Sequence, residues 1–342
     1  MNSNWKKLLE DTGATFDDAG QSIFENADIS DCRKIPLTHL GVIRVSGEDK
    51  ETFLQGQLTN DTRNIDRSSS QLSGYCTPKG RMLANFRVFE DDQDNWFIVI
   101  PQERLAAILK RLSMFILRSK VEITDASNEI LLLGLGGDCI SQALTNALPA
   151  KADEVTQDNS ISFIRVETPN PRYLVAGDAE KIMQLWQKLD SVSPASSSAW
   201  RLADIKAAIP TVFESTQEAF IPQMTNMQLI NGVSFTKGCY TGQEVVARMQ
   251  YLGKLKRRMY KISFDHEADV QPGTEIYSSI SQSGQGAGKL VDAIDTGNNH
   301  YEGLAVMEIS SADDGEIRLI DENGPLLRID EPPYDFEGES QS

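Results

Sequence analysis

Lys237-Gly238-Cys239-Tyr240-Thr241-Gly242-Gln243-Glu244, followed by Val245-Val246-Ala247-Arg248, is the most informative stretch of the chain. Thr241 and Glu244 have the Ser/Thr-x-x-Glu spacing of a capping box ahead of an apolar run, which predicts a helix from about Gly242. Cys239 then lies just before a helix N-terminus, two residues from Lys237, with Arg248 further along. A helix dipole and cationic neighbours favour a thiolate, which makes Cys239 a candidate nucleophile. Gly238 removes side-chain bulk beside it, so a ligand can approach. On spacing alone, a buried structural cysteine beside a helix cap is the commoner explanation of the same residues.

Downstream of this stretch the pattern is all-β. Short strands are predicted at Lys261–Phe264, Thr274–Tyr277, Ala287–Ala293, Gly303–Ile309, Glu316–Ile320 and Leu326–Ile329, separated by Gly, Asn and Asp, which reads as a barrel or sandwich over 256–335. Upstream, strands and single helices alternate in an α+β pattern. A first module, 35–125, holds a strand at Leu40–Val45, a helix opened by Ser46 and Gly47 through Phe53, Leu54 and Leu58, and a hairpin of Gln71–Thr77 and Arg81–Phe89 turning at Pro78-Lys79-Gly80. It continues with a strand at Trp96–Ile100, a helix across Leu105, Ile108, Leu109 and Leu112, and a strand at Lys120–Thr124. A second module, 126–195, holds strands at Glu129–Gly134, Ile161–Val166 and Arg172–Ala176, with helices at Ile140–Leu148 and Ala179–Leu189. Ser191–Ser198 reads as a linker, and 196–255 carries a helix at Trp200–Ala208 and the Cys239 segment. Residues 1–34 read as a loose lead-in with a short helix about Trp5–Leu9, and 336–342 as an acidic tail.

The 342 residues include 33 Lys+Arg and 50 Asp+Glu, a net charge of -17. That field repels phosphate backbones and argues against direct tRNA binding. No apolar run approaches the roughly 20 residues of a membrane span, and Lys6 and Lys7 are followed by Glu10 and Asp11 rather than an apolar signal core, so a cytoplasmic protein without a membrane partner is expected. Cys32, Cys76, Cys139 and Cys239 are scattered without a CxxC pair, and in a reducing compartment all four are expected as free thiols. The three histidines, His39, His266 and His300, have no metal-ligand spacing, so no metal site is expected.

Two glycine-rich segments fail as ligand motifs. Gly134-Leu135-Gly136-Gly137-Asp138-Cys139 follows a strand, but Cys139 stands where a dinucleotide fingerprint needs its third glycine. Gly286-Ala287-Gly288-Lys289-Leu290 has Leu290 where a phosphate loop needs Ser or Thr, and reads as a β-turn.

The run KGCYTGQE resembles the signature of the YgfZ family of folate-binding proteins, which are similar to the T protein (aminomethyltransferase) of the glycine-cleavage system. The resemblance extends to Phe220-Ile221-Pro222-Gln223, Asn226, Val233-Ser234-Phe235 and the basic Lys254, Lys256, Arg257 and Arg258. Upstream, Gln55-Gly56-Gln57-Leu58-Thr59-Asn60-Asp61 resembles the family's QGQ-T-D element and Lys79-Gly80-Arg81-Met82 its KG-K/R-M element, so the likeness spans roughly Ile35 to Pro333. It implies two mixed α/β modules of aminomethyltransferase type plus a C-terminal antiparallel β-barrel around a central channel, tetrahydrofolate or another folate as cofactor, and a role in assembling or repairing iron–sulfur clusters. The client enzymes so implied include tRNA-thiolating proteins, hence a part in tRNA modification.

The same resemblance implies Trp200 and Leu40 as folate contacts, with the signature Cys239 near the site. Arg248, Lys254, Arg257 and Arg258 are candidate folate-binding cations, and the basic cluster Lys254 to Lys261 could guide an anionic tail, a cluster-bearing partner or a tRNA backbone, or be a solvated face. Lys237 is a candidate electrostatic aid to catalysis. T proteins carry an aspartate pair on the strand after the KG turn, whereas this chain has Ala84-Asn85, so folate binding without aminomethyl transfer is expected. A folate-dependent one-carbon transferase using Cys239 is the alternative, and a purely structural scaffold a third reading. As a thiolate, Cys239 can ligate iron, take a persulfide or react with a folate-borne one-carbon unit.

Overall fold

The computed structural model describes residues 1–25, 32–144, 148–166, 170–283 and 286–336. They form two compact units that interleave along the chain. Met1–Gln55, Asp61–Gln71 and Phe86–Trp200 make the first, and Gly56–Asn60, Leu72–Asn85 and Arg201–Ser342 the second.

In the first unit α1 (Ser3–Asp11) leads through a small hairpin, β1 (Thr15–Phe16) and β2 (Ser22–Ile23), to β3 (Arg33–Pro36), β4 (Leu40–Ser46) and α2 (Lys50–Gln55). Then come β5 (Ser70–Cys76) and β6 (Met82–Glu90), of which Leu72–Cys76 and Met82–Asn85 belong to the second unit, followed by β7 (Trp96–Pro101), α3 (Gln102–Ser113) and β8 (Glu122–Asp125); the strands are ordered β5-β6-β7-β4-β8. β9 (Ile130–Gly136), α4 (Ile140–Ala143), β10 (Val155–Asp158), β11 (Ile161–Val166), β12 (Arg172–Asp178), α5 (Ala179–Lys188) and β13 (Ser193–Pro194) follow, and the second sheet is ordered β10-β11-β12-β9-β3-β13. The apolar run Ile130–Leu133 is uninterrupted because β9 is an inner strand, flanked by β12 and β3, with Ile130 to Leu135 all buried. Amphipathic α5 sets Ile182, Leu185 and Trp186 into the same core, and Trp5 of α1 meets Trp186 edge-on with ring centroids 5.5 Å apart. Lys34 closes the C-terminal end of α5: its Nζ donates to Trp186 O (3.0 Å) and Leu189 O (2.7 Å), where a cation complements the helix dipole.

Several expectations are corrected here. The lead-in is not loose, since Trp5 and Leu9 are 2% and 0% exposed in the core. The Ser191–Ser198 stretch is not a linker: β13 pairs parallel with β3, and the fully buried Ser197 hydroxyl donates to Pro36 O at 2.8 Å. The helix opened after Gly47 ends at Gln55, and Leu58 forms an isolated bridge with Tyr75 instead. α4 stops at Ala143, and the predicted continuation at 145–147 lies outside the described residues, as do 26–31 of the lead-in and 337–342 of the tail.

Cys32 and Cys139 are not free thiols but a disulfide, with Cα atoms 5.9 Å apart across 107 residues. The register explains it. β3 and β9 pair with Arg33 opposite Gly136, so Cys32 arrives beside the turn that leads to Cys139, a proximity invisible in one-dimensional spacing.

The second unit holds most of α6 (Ser197–Lys206), then α7 (Gln243–Tyr251), β14 (Arg257–Asp265), β15 (Glu275–Ser278), β16 (Gly288–Asp295), β17 (His300–Glu308), α8 (Ile309–Asp314), β18 (Ile317–Leu319) and β19 (Arg328–Asp330). Its antiparallel sheet, ordered β18-β15-β16-β17-β14-β19, curls into a half-barrel. Leu326 bridges Arg318 of β18, Leu327 N donates to Ile317 O (2.8 Å), and the next three residues pair with β14, so one run of chain touches both sheet edges. Among the described residues no helix is long and apolar enough to cross a membrane.

Thiol titration tests the disulfide. Denatured, unreduced protein is expected to show two reactive thiols, from Cys76 and Cys239, and four after reduction, while reduction of the native protein lowers its unfolding free energy by about 2–4 kcal/mol.

Candidate functional site

Lys237 is 5% exposed, and its Nζ donates to Leu58 O at 2.7 Å and Asn60 O at 2.8 Å. A buried ammonium is tolerated only when its donors are met, and two carbonyls of the QGQ-T segment meet them here. The segment is fixed from its other side as well. Thr59 Oγ1 donates to Gly232 O (2.7 Å) and accepts from Gly74 N (2.7 Å), and Asn60 Nδ2 donates to Leu72 O (2.9 Å) and Asn231 O (2.6 Å). The KG turn joins the same assembly, because a Cβ on Gly242 would fall 2.5 Å from Thr77 O and one on Gly80 2.9 Å from Val245 Cβ. Three segments far apart in sequence, 56–60, 77–81 and 237–245, thus converge within the second unit. In the first unit Gln55 Nε2 donates to Asp61 Oδ1 (2.9 Å), and the Arg63 guanidinium holds the Asp61 carboxyl down at about 2.

Cys239 sits between two buried anchors, Lys237 and Tyr240, and is itself exposed. Gly238 beside it faces open space. The Lys237 ammonium lies 5.0 Å from the Tyr240 ring centroid. Burial pushes the Tyr240 phenol far up, and pushes the Cys76 thiol of β5 up to about 12, which leaves Cys76 inert. The predicted capping box does not form. α7 begins at Gln243, its N-cap is Gly242 at φ 88° and ψ 0°, and no side chain caps it. The chain enters the helix through a left-handed residue with no room for a Cβ, which only glycine supplies, and Cys239 lies four residues before the first helical one.

Asn85 has a defined task. Its Nδ2 donates to Pro210 O (2.7 Å) and its Oδ1 accepts from Val212 N (2.8 Å), so the amide ties 210–212 to β6 with one donor and one acceptor. A carboxylate offers no donor and cannot make the first bond.

In the first unit Trp200 is 4% exposed, pressed against Gly134, where a Cβ would lie 2.5 Å from Trp200 Cε3. The Arg172 guanidinium stands 4.4 Å from its ring centroid and donates to Trp200 O at 3.4 Å. The indole N–H has no hydrogen-bond partner among the described residues. Leu40, at the start of β4, lines a cavity of about 220 Å3 with Leu37, Gln102 and Leu131. This is below the roughly 300–1,000 Å3 of a whole small-molecule site. Leu37 also approaches Gly134, which links Leu40 to the surroundings of Trp200.

The basic residues separate. Lys254 and Arg257 line a cleft of the second unit, whereas Arg248 and Arg258 do not. Arg257 is engaged, its Nη2 donating to Gly286 O (2.6 Å) and Ser283 Oγ (3.0 Å), and Arg258 stacks 4.1 Å from the Phe336 ring centroid.

"tRNA-modifying protein YgfZ" of Colwellia psychrerythraea is 32% identical over 308 residues, 89% of this chain and 90% of that protein. Its namesake in Klebsiella pneumoniae (strain 342) is 31% identical over 318 residues, 90% of this chain and 96% of that protein. The chain belongs to the YgfZ family. Its fold is that of the glycine cleavage system aminomethyltransferase T from Bartonella henselae, with a TM-score of 0.70 at 13% identity over 97% of this chain and 96% of that one. No family model matches the chain.

Sequence reasoning singled out Asn60 only as part of the QGQ-T-D element and missed Arg172, which merely opens a strand and carries no local signal. Asn85→Asp sets a second oxygen against Pro210 O, so ionisation is disfavoured in the folded state and the folded pKa rises above the ordinary value of about 3.9. Below that value the protonated carboxyl can donate and the variant is expected to match wild type. As pH rises through the raised pKa, a deficit of about 1–3 kcal/mol develops, read as a lower urea midpoint at neutral pH.

Proposed function

We propose that this chain is a folate-binding accessory protein in tRNA modification, one that supports assembly or repair of iron–sulfur clusters in client enzymes such as tRNA-thiolating proteins. The observation that carries the reading is an exposed thiol, Cys239, held between the buried Lys237 and Tyr240 where three signature segments converge. The name of the curated relatives supports the link to tRNA modification, and the aminomethyltransferase fold supports the folate. The net charge of -17 favours action through a protein client over direct contact with tRNA.

The residues present fit a folate in part. Trp200 offers an unpartnered N–H edge braced by Arg172 and Gly134, and Leu40 an apolar wall, which suit a flat heterocycle with hydrogen-bonding edges. When bound, tetrahydrofolate supplies a one-carbon carrier. Lys237 is a positioning residue, since its ammonium is committed to Leu58 O and Asn60 O. Asn85 supports binding without aminomethyl transfer, because its amide is engaged with Pro210 and Val212 and holds no carboxylate toward a ligand.

Calorimetric titration of tetrahydrofolate into wild type, Trp200→Phe and Cys239→Ala tests the reading. Trp200→Phe keeps a ring against Gly134 but removes the N–H, and is expected to weaken binding roughly three- to tenfold, with Cys239→Ala binding as wild type does. Absence of binding to wild type would overturn the folate assignment. Conversion of methylene-tetrahydrofolate that disappears in Cys239→Ala would favour a one-carbon transferase instead.

A further inference from the structure

One rung of the second sheet crosses three strands of the first unit: Gly136 of β9 lies between Arg172 of β12 and Arg33 of β3. Cys32 directly precedes Arg33, and Cys139 lies just beyond Gly136 in the turn out of β9, so the disulfide closes the same end of the ladder. That turn is fixed at two further points. Gly137, at φ 95°, donates its N–H to Pro171 O at 3.0 Å, and Ile140, 0% exposed, enters the core. Pro171 directly precedes Arg172, whose guanidinium stands 4.4 Å from the Trp200 ring centroid and donates to Trp200 O at 3.4 Å. A covalent bond, one hydrogen bond and one step of backbone therefore connect the disulfide with the cation over Trp200.

The bond is placed where it can be exchanged. Both cysteines are half-buried and Asp138 beside them is exposed, so a dissolved thiol reaches the sulfurs. Little else braces the turn, because α4 is only Ile140–Ala143 and no side chain caps it at Cys139. Without the S–S bond, the turn is left with Ile140 in the core and Gly137 N on Pro171 O. A shift of the turn then carries Pro171 with it, and Arg172 follows.

We propose that Cys32–Cys139 is a redox-sensitive latch on the Trp200 site: oxidised, it holds Arg172 over the indole, and reduced, it releases the 137–139 turn and Arg172 with it. The co-reactant is a dithiol. One of its thiolates attacks a cysteine Sγ, the S–S bond breaks, and the other cysteine leaves as a thiolate that takes up a proton; the second dithiol sulfur then breaks the mixed disulfide and frees the first cysteine. Two electrons and two protons pass to the cysteines, and the dithiol departs as its own disulfide. This adds regulation to the folate reading of the same site, and rests on that reading only for the effect on ligand affinity.

19F NMR of the full chain labelled with 5-fluorotryptophan tests the latch without ligand, the Trp200 resonance being assigned from Trp200→Phe. Between oxidised protein and protein reduced with dithiothreitol, the Trp200 resonance is expected to move and that of Trp96, in the other sheet of the unit, to stay; reoxidation with diamide restores the first spectrum. Cys32→Ser with Cys139→Ser is expected to give the reduced spectrum under either condition. In Arg172→Met the Trp200 resonance is expected to ignore the redox state, an outcome that a disulfide acting on stability alone does not produce. The proposal is overturned by an unmoved Trp200 resonance, by a response that persists in Arg172→Met, or by all four tryptophan resonances moving together. Anaerobic calorimetry is expected to show tetrahydrofolate bound at least about fivefold more weakly by the reduced protein. Equal affinity of the two forms also overturns the latch, whereas absence of binding to both overturns the folate reading and the 19F spectra still decide the latch.

Discussion

The Lys237 ammonium, buried and bonded to the carbonyls of Leu58 and Asn60, is the contact on which the signature assembly depends. Both partners lie in a five-residue excursion, Gly56–Asn60, that belongs to the second unit while its neighbours on either side belong to the first. Removing the ammonium leaves two carbonyls that need new donors in a dry environment, at about 1–3 kcal/mol each. Retaining it fixes the backbone on one side of Cys239, as burial of Tyr240 does on the other. An exposed thiol on a loop is ordinarily mobile; here it is exposed and held.

A comparable economy governs the surroundings of Trp200. Gly134 lies in β9 because the indole needs its backbone, and Arg172, opening the neighbouring strand β12, stands over the ring. Asn85 follows the same logic: its amide is committed to Pro210 O and Val212 N.

Elements governed by local pattern were legible in the sequence. The apolar run of β9, the amphipathic faces of α3 and α5, and the short C-terminal strands all appear close to their expected places, because periodicity and turn residues report them directly. What depends on non-local register was not. The Cys32–Cys139 disulfide follows from β3 pairing with β9, and the burial of Ser197 from β13 lying along β3. The capping box failed for a steric reason: Thr241 has the right spacing, but Gly242 enters α7 in a left-handed conformation against Thr77 O. Lys237 was legible as important, while its hydrogen bonds to Leu58 O and Asn60 O depend on a fold contact that spacing to Cys239 does not report.

Amide hydrogen exchange at Thr59 and Ser234, compared between wild type and Lys237→Met, tests the central claim most directly. Thr59 N donates to Gly74 O and Ser234 N to Thr59 O, so both amides report whether the excursion stays docked. The account predicts exchange at both sites faster by at least about tenfold in the variant, with β9 and β12 protected as in wild type. Unchanged exchange at Thr59 and Ser234, or an equal loss of protection in β9, would contradict it.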